Sequence, residues 1–504
     1  MTVTQKIQKK LNDSAMARWS ALAIVSFTMM MAYFFTDVMG PLEAPLTTKG
    51  KLVYFDNGTY LSADSLMKVS TTAIASEEEI VVGNAYTIDN AGTEETVKVD
   101  STINGLGWGS DDYGVFSGAY GYINVFLLML FFGGIILDKM GVRFTGLMST
   151  ALMFAGAAIK WYAVNSTFTG EIVGLPTQVA VACLGFAIYG MGCEIAGITV
   201  TKVIAKWFTG HELALAMGLQ VALARVGTAC ALFFALPLAQ NFGIVSAPVM
   251  IGASALCIGM LSYIVYCVMD KKLDASATTA EGVTESEEEQ FKMSDLKLIF
   301  CNKGFWLITL LCLMFYSAVF PFLKFATNLM IIKYNVSPDV AGMIPGLLPF
   351  GTILLTPLFG SMYDKMGKGA TLMLIGSTLL TVVHVLFALP VMNIWWFAVI
   401  VMILLGIAFS LVPSAMWPSV PKIIPMKQLG SAYAIIFYIQ NIGLSMVPVL
   451  IGNVIQSCTS NGTTDYTLPM AIFAGFGVIA VIISLLLLKA DKKYNYGLEQ
   501  KNEK

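Results

Sequence analysis

Twelve apolar stretches, near residues 19–42, 113–137, 145–165, 177–206, 212–237, 244–268, 304–331, 339–363, 369–391, 393–418, 427–456 and 468–489, are each long enough to cross a bilayer. Hydrocarbon offers the backbone no water, so such stretches must satisfy their own N–H and C=O groups as helices. Charged residues make up 12% of the chain, about half the share of a soluble domain. The fold class this dictates is an all-α membrane protein with 12 transmembrane helices. Basic residues gather at Lys6, Lys9, Lys10 and Arg18, then at Lys139/Arg143, Lys202/Lys206, Lys271/Lys272, Lys365/Lys368, Lys422/Lys427 and Lys489/Lys492/Lys493. In a twelve-span count all of them fall on one side, which places both termini in the cytoplasm. No small-residue cleavage site follows the first span, so it is expected to be retained.

Two polar segments interrupt the spans. Residues 43–112 form an acidic outer loop with β-like runs such as EEIVVGNAYTI, expected to fold as a small cap. Residues 269–303 carry ASATTAEGVTESEEEQ and then KMSDLKLIF, read as a flexible linker leading into an amphipathic helix on the cytoplasmic face. The expected organisation is therefore a first bundle over 1–268, the linker over 269–303, a second bundle over 304–490 and a cytoplasmic tail over 491–504. An internal repeat supports this division: Gly134, Asp138, Lys139, Gly141 and Arg143 after helix 2 recur as Gly360, Asp364, Lys365, Gly367 and Lys368 after helix 8.

Glu194 and Arg225 lie on the two arms of one helical hairpin, each roughly 22 Å from its turn at 1.5 Å per residue. Both therefore sit near the middle third of a membrane about 30 Å thick. Charges at that depth cost at least about 2.5 kcal/mol, so they need partners or water. They either staple helix 4 to helix 5 or bind a solute. The position equivalent to Arg225 in the second half is Asn441, and that of Glu194 is near Ala415, so the charges belong to one half only. Asp37 and Lys324 lie near the outer ends of helices 1 and 7 and are expected to face each other across the pore. With Gln220, Gln440, Asn441 and Trp417 they complete the candidate binding set. Lys160, beside Trp161 and Tyr162, reads as an interfacial anchor, and His384 as a structural residue.

The pattern G-x-x-x-D-K-x-G-x-[RK], present twice, resembles the signature loop of the major facilitator superfamily. That likeness implies two pseudo-symmetric six-helix bundles. In that family the first glycine lets helices approach closely, and the acid latches the inner side against a helix N-terminus of the other half. The stretches FFGGIILDKMG, GMGCE, KWFTGHELALAMGLQVALARVG, YSAVFPF, MWPSVPKIIPMKQLGSAY and IQNIGLS are further similar to the superfamily's lysosomal dipeptide uniporters. The resemblance implies facilitated movement of dipeptides, with Glu194 and Arg225 engaging the zwitterion and Asp37 matching an acid at the end of helix 1. Near Pro321, where that family carries a lysine, this chain has Thr327, with Lys324 one turn earlier. An accessory glycoprotein is also implied as a partner, and the long outer loop is expected to obstruct it. The N-terminus lacks an acidic dileucine signal, which points to a bacterial cytoplasmic membrane, or to the lysosomal membrane in a eukaryote.

The expected function is a secondary transporter of dipeptides or similar amino-carboxylate solutes working by alternating access, in the first instance a uniporter. An organic-anion exchanger in which Arg225 and Lys324 clamp a carboxylate, a proton-coupled symporter, and a non-transporting sensor or scaffold stay open as alternatives. No GxxxxGK[ST], HExxH or nucleophile elbow occurs, which argues against ATP coupling, an intramembrane enzyme and a resident cofactor or metal. No basic patch points to nucleic acid.

Overall fold

A computed structural model of the chain describes residues 11–90, 93–208, 211–278, 299–390, 392–425, 428–460 and 463–501. The long helices are α1 (Ala15–Asp37), α2 (Ser110–Gly118), α3 (Met129–Asn165), α4 (Thr177–Phe208), α5 (Leu213–Phe242), α6 (Ser246–Thr278), α7 (Lys303–Tyr334), α8 (Met343–Met366), α9 (Gly369–Ala388), α10 (Trp395–Ile423), α11 (Leu429–Cys458) and α12 (Thr467–Tyr494). Among the described residues, 11 helices are long and apolar enough to cross a membrane unbroken. The remaining span, expected as one helix over 113–137, is interrupted. It runs through α2, a 3-10 turn at Ala119–Gly121, the short helix Tyr122–Phe126, and the first limb of α3 beyond Leu128, whose φ is 51°.

At Gly141 α3 reverses, with φ of 75°, and its second limb is the next span. Gly367 makes the matching turn between α8 and α9 with φ of 68°. The two copies of the signature thus share a left-handed turn residue, a conformation that glycine adopts without strain. The linker begins later than residue 269, because α6 continues to Thr278. The expected amphipathic helix lies almost wholly outside the described residues.

The insert between α1 and α2 folds as an antiparallel sheet of β1 (Lys49–Phe55), β2 (Tyr60–Ser62), β3 (Ala85–Asn90) and β4 (Thr93–Leu106), in the order β2-β1-β4-β3. A core of Val53, Phe55, Leu66, Ile80, Val97 and Val99 lies under it. It marks one face of the bundle, here the insert face. The described chain ends lie at the opposite, terminus face, where the Leu11 N–H donates to Ser276 Oγ and the Gly304 N–H to the Tyr496 hydroxyl.

The seam between the halves is closed at the insert face. A Cβ on Gly114 would lie 2.6 Å from the Pro448 carbonyl oxygen, and one on Gly118 2.2 Å from that of Ser445, so small residues let α2 and α11 touch backbone to backbone. On α5 and α8 the same closeness holds between Gly342 and the Leu232 carbonyl, 1.9 Å from a built Cβ. Toward the terminus face no such backbone contact is seen among the described glycines of these helices. Phe126, Leu127, Leu215, Leu219, Leu354, Leu358 and Phe437 are all exposed there, and nothing lies within 4 Å of a Cβ built on Gly134 or Gly360. The close helix approach implied for these two glycines is not made in this conformation.

Candidate functional site

Midway along the seam, Arg225 on α5 points its guanidinium at three rings. Its Cζ lies 5.9 Å from the centroid of Tyr33 on α1, 5.7 Å from Phe320 on α7 and 5.5 Å from Phe409 on α10. These are cation–π distances, and the rings come from both halves. Glu194 on α4 accepts a hydrogen bond of 2.9 Å from the Tyr120 hydroxyl. Tyr120 reaches it from the 3-10 turn that interrupts the second span, and Gly190 admits that turn: a Cβ there would sit 2.0 Å from the Tyr120 carbonyl oxygen. Among the described residues no ion pair joins Glu194 to Arg225, and both side chains are half-buried. Tyr33 stands within electrostatic reach of both charges. The two costly groups of the hairpin are not ion-paired with each other; Tyr33 lies within reach of both.

The aromatic wall continues into the second half. Phe409 and Phe320 pack on Tyr316, which accepts a 3.1 Å hydrogen bond from Trp417 Nε1; Trp417 in turn stacks on Phe437 at 4.9 Å. Trp417 therefore belongs to the same constellation as Arg225. Gln440 does not: it is buried against Cys312, whose thiol donates to Oε1 at 3.4 Å. Asn441 is buried too, its amide donating to its own helix at the Phe437 carbonyl. Gln220 is half-buried on α5, roughly 7.5 Å along the helix from Arg225 toward the terminus face.

Asp37 and Lys324 do face each other, as expected, but as an ion pair of 2.6 Å at the insert end of the seam. Lys324 Nζ also donates to the Thr36 carbonyl at 2.9 Å, and the Tyr113 hydroxyl donates to the Lys324 carbonyl at 2.9 Å. They are spent on each other rather than joining Arg225. Thr36 is bonded to the Tyr189 hydroxyl at 3.0 Å.

The signature loop is tied down on the terminus face. Arg143 pairs with Asp274 at 3.0 Å and with Asp270 at 3.7 Å, and Lys206 pairs with both at 2.7 and 2.8 Å. Trp207 and Tyr266 donate to the same buried Asp270. The motif's arginine on α3 thus shares Asp270 and Asp274 of α6 with Lys206 of α4. Lys139, Asp364 and Lys365 are exposed, and the side chain of Asp138 lies outside the described residues.

Two sequence readings concern buried rings. Lys160 is not an interfacial anchor: it is fully buried, its Nζ 4.3 Å from the centroids of Phe35 and Phe186 and 5.3 Å from Phe116, donating to the Phe35 carbonyl at 3.3 Å. Its neighbour Tyr162, about 200° around the helix, is the exposed one. His384 is buried against Phe322 and Phe473. The rings around Arg225 had a signal that the charges outshone. Tyr316, Phe320 and Lys324 fall at i, i+4 and i+8 on one face of α7, and Tyr33 and Asp37 share a face of α1.

The family description "Major Facilitator Superfamily" matches residues 59–332 and 325–504. The chain belongs to this superfamily. It is therefore a multi-pass membrane transporter and not an enzyme. Curated relatives of this superfamily member include the human lysosomal dipeptide transporter MFSD1, 25% identical over 433 residues, covering 84% of this chain and 87% of the relative. The mouse MFSD1 is 26% identical over 434 residues, with 83% and 87% covered. Among solved structures, the nucleoside transporter NupG superposes with a TM-score of 0.63 at 14% identity, covering 94% of this chain and 99% of that one. The xylose transporter XylE from E. coli, in a partially occluded inward-open conformation, gives 0.57 at 14% identity with 94% and 99% covered. This superfamily member shares their fold.

Proposed function

We propose that this transporter carries dipeptides or similar amino-carboxylate solutes by alternating access, as a uniporter, with its termini in the cytoplasm and the present structure facing inward. The observation that carries the reading is that Glu194, held by Tyr120, and Arg225, facing rings of both halves, are not ion-paired with each other among the described residues. A guanidinium binds a carboxylate in two parallel hydrogen bonds, and a carboxylate binds an ammonium, so the pair offers complementary ends to one zwitterion. Rings of α7 and α10 reach the same solute from the other half, so its binding bears on how the halves sit together. The relatives named as dipeptide transporters support the substrate class. Asp37–Lys324 acts in this reading as a gate at the insert face, and the pairing leaves Lys324 unavailable for a two-cation clamp with Arg225. That disfavours the organic-anion exchanger in this conformation.

The test is uptake of labelled dipeptide into proteoliposomes. Arg225→Ala and Glu194→Gln should each lose uptake while the protein stays folded and monodisperse. Losing a charged hydrogen bond of about 1.5–3 kcal/mol corresponds to roughly 10- to 150-fold weaker binding. Unchanged uptake by Arg225→Ala removes that residue from the site. Acceleration of exchange by preloaded small dicarboxylates, with no response to dipeptides, would favour the anion exchanger.

A further inference from the structure

Glu43 opens the short helix Glu43–Thr47 that leads from α1 into the insert, and it is only 1% exposed. It sits where both halves and the insert meet. The Gly40–Leu42 turn just before it packs on α7, where a Cβ on Gly40 would lie 3.6 Å from the Leu323 carbonyl oxygen. On the other side of the seam the Asn328 carboxamide of α7 reaches the Glu43 carboxyl. Tyr60 of β2, Tyr113 of α2 and Tyr466, which precedes α12, surround it.

Three polar atoms of this cluster are buried without a hydrogen-bond partner among the described residues: Glu43 Oε2, Asn328 Oδ1 and the Tyr466 hydroxyl oxygen. A buried polar atom of this kind needs a proton, a water or an ion beside it. Among the described residues the groups acting on Glu43 are an amide and phenols, with no cation among them. The nearest candidate, Lys324, is spent on Asp37 and the Thr36 carbonyl. Lys51 of the insert is spent on the carbonyls of Glu77 and Ile80. A bare carboxylate is not sustained in such surroundings, whereas a neutral carboxylic acid can accept from the Asn328 amide and has an O–H to give to an orphaned oxygen such as the Tyr466 hydroxyl.

We infer that Glu43 is a proton-binding site of the insert-face gate, holding a proton while the gate is shut and releasing it to the insert-side solution when the halves part. Opening draws the Gly40–Thr47 segment away from α7, admits water to the carboxyl and lets it ionise. The proton comes from and returns to the same compartment, so nothing is translocated. What changes is the gate: acid on the insert side favours closure, by up to about tenfold per pH unit for one proton. This goes beyond the dipeptide reading and does not depend on it.

The experiment is infrared spectroscopy of the full chain in lipid nanodiscs at neutral pH, comparing the unmutated protein with Glu43→Gln. The expected result is a carboxylic-acid C=O stretch that is lost in Glu43→Gln and kept in Glu194→Gln. If Glu43→Gln does not fold, Asn328→Leu shifts the same band by removing the carboxyl's neighbour. Spectra without a Glu43-dependent band overturn the inference, as does a band that appears only after sodium and potassium are replaced by an organic cation, which would make this a cation site. In the unmutated protein the distance across the gate should respond to insert-side pH, and in Glu43→Gln that response should be flat; an undiminished response in the variant also overturns it.

Discussion

Gly118→Ala should drive the molecule out of its insert-face-closed state without unfolding it. A Cβ at that position would lie 2.2 Å from the Ser445 carbonyl oxygen and 3.2 Å from Cγ2 of Val449. Ordinary contact is about 3.5–4.0 Å between carbons, so the two backbones must part by roughly 1 Å. Overpacking of this kind costs about 1–3 kcal/mol, which is about 5- to 150-fold in an equilibrium. Since α2 and α11 belong to different halves, the strain vanishes when the gate opens, and the ratio of closed to open should fall by that factor. Gly227→Ala is the control: its Cβ would meet the Met30 carbonyl at 2.0 Å, but α5 and α1 belong to the same half. No gating motion relieves that clash, so Gly227→Ala should lower thermal stability and leave the gate where it was. The assay is pulsed electron–electron distance measurement between spin labels at Ile244→Cys and Val340→Cys, 42% and 44% exposed on the two halves, after replacing the eight native cysteines. If Gly118→Ala lowers stability as Gly227→Ala does and leaves the distances unchanged, the contact is a fixed interface and the reasoning fails.

Lys160→Met should fold and be as stable as the parent or more so, because replacing a buried ion by an apolar side chain of similar length is often neutral or stabilising by about 1–4 kcal/mol. A thermal-shift assay reads this, and a marked loss of stability would show that the three-ring contact outweighs the burial of the charge. Asp270→Asn removes the carboxylate shared by Arg143, Lys206, Trp207 and Tyr266. With Arg143 and Lys206 themselves 43% and 32% exposed and still paired with Asp274, it should cost about 1.5–3 kcal/mol, seen as a lowered melting temperature; no change would mean that Asp274 suffices. Ending the chain after Tyr496 removes the Glu499 carboxylate that accepts from the Thr371 N–H and hydroxyl at 2.8 and 2.7 Å, and the Gly497 and Gln500 carbonyls bound by Lys422. Loss of such a cap costs about 0.5–2 kcal/mol, and faster amide exchange over the first turns of α9 should report it. Unchanged exchange there would show that the tail does not stabilise that helix.

What the sequence could reveal followed from how unusual each residue is in a membrane. Glu194, Arg225, Asp37 and Lys324 announced themselves because a charge at that depth is costly wherever it points. The paired turns at Gly141 and Gly367 were legible because the repeat set them at matching places. Their partners were not: whether Glu194 meets Arg225 or Tyr120 depends on a 3-10 turn at Ala119–Gly121. The uniform apolarity around that turn reads as unbroken helix, and its glycines are explained only by what they touch. Lys160 was misplaced for the opposite reason. Its aromatic neighbours in sequence, Trp161 and Tyr162, suit an interface, but the helix turns Lys160 away from Tyr162 and into rings that come from α1, α2 and α4. Glu43 was hidden by its address, since an acid at the start of an acidic loop reads as solvated. Only the closing of α7 and the insert over it makes it a buried group, so its role belongs to the conformation and to no local pattern. The same dependence governs Gly134 and Gly360, whose open surroundings have meaning only as one half of a cycle. Approach of these two glycines to their neighbours should appear when the insert face opens, which makes Gly134→Leu a substitution the present state tolerates and the opposite state does not.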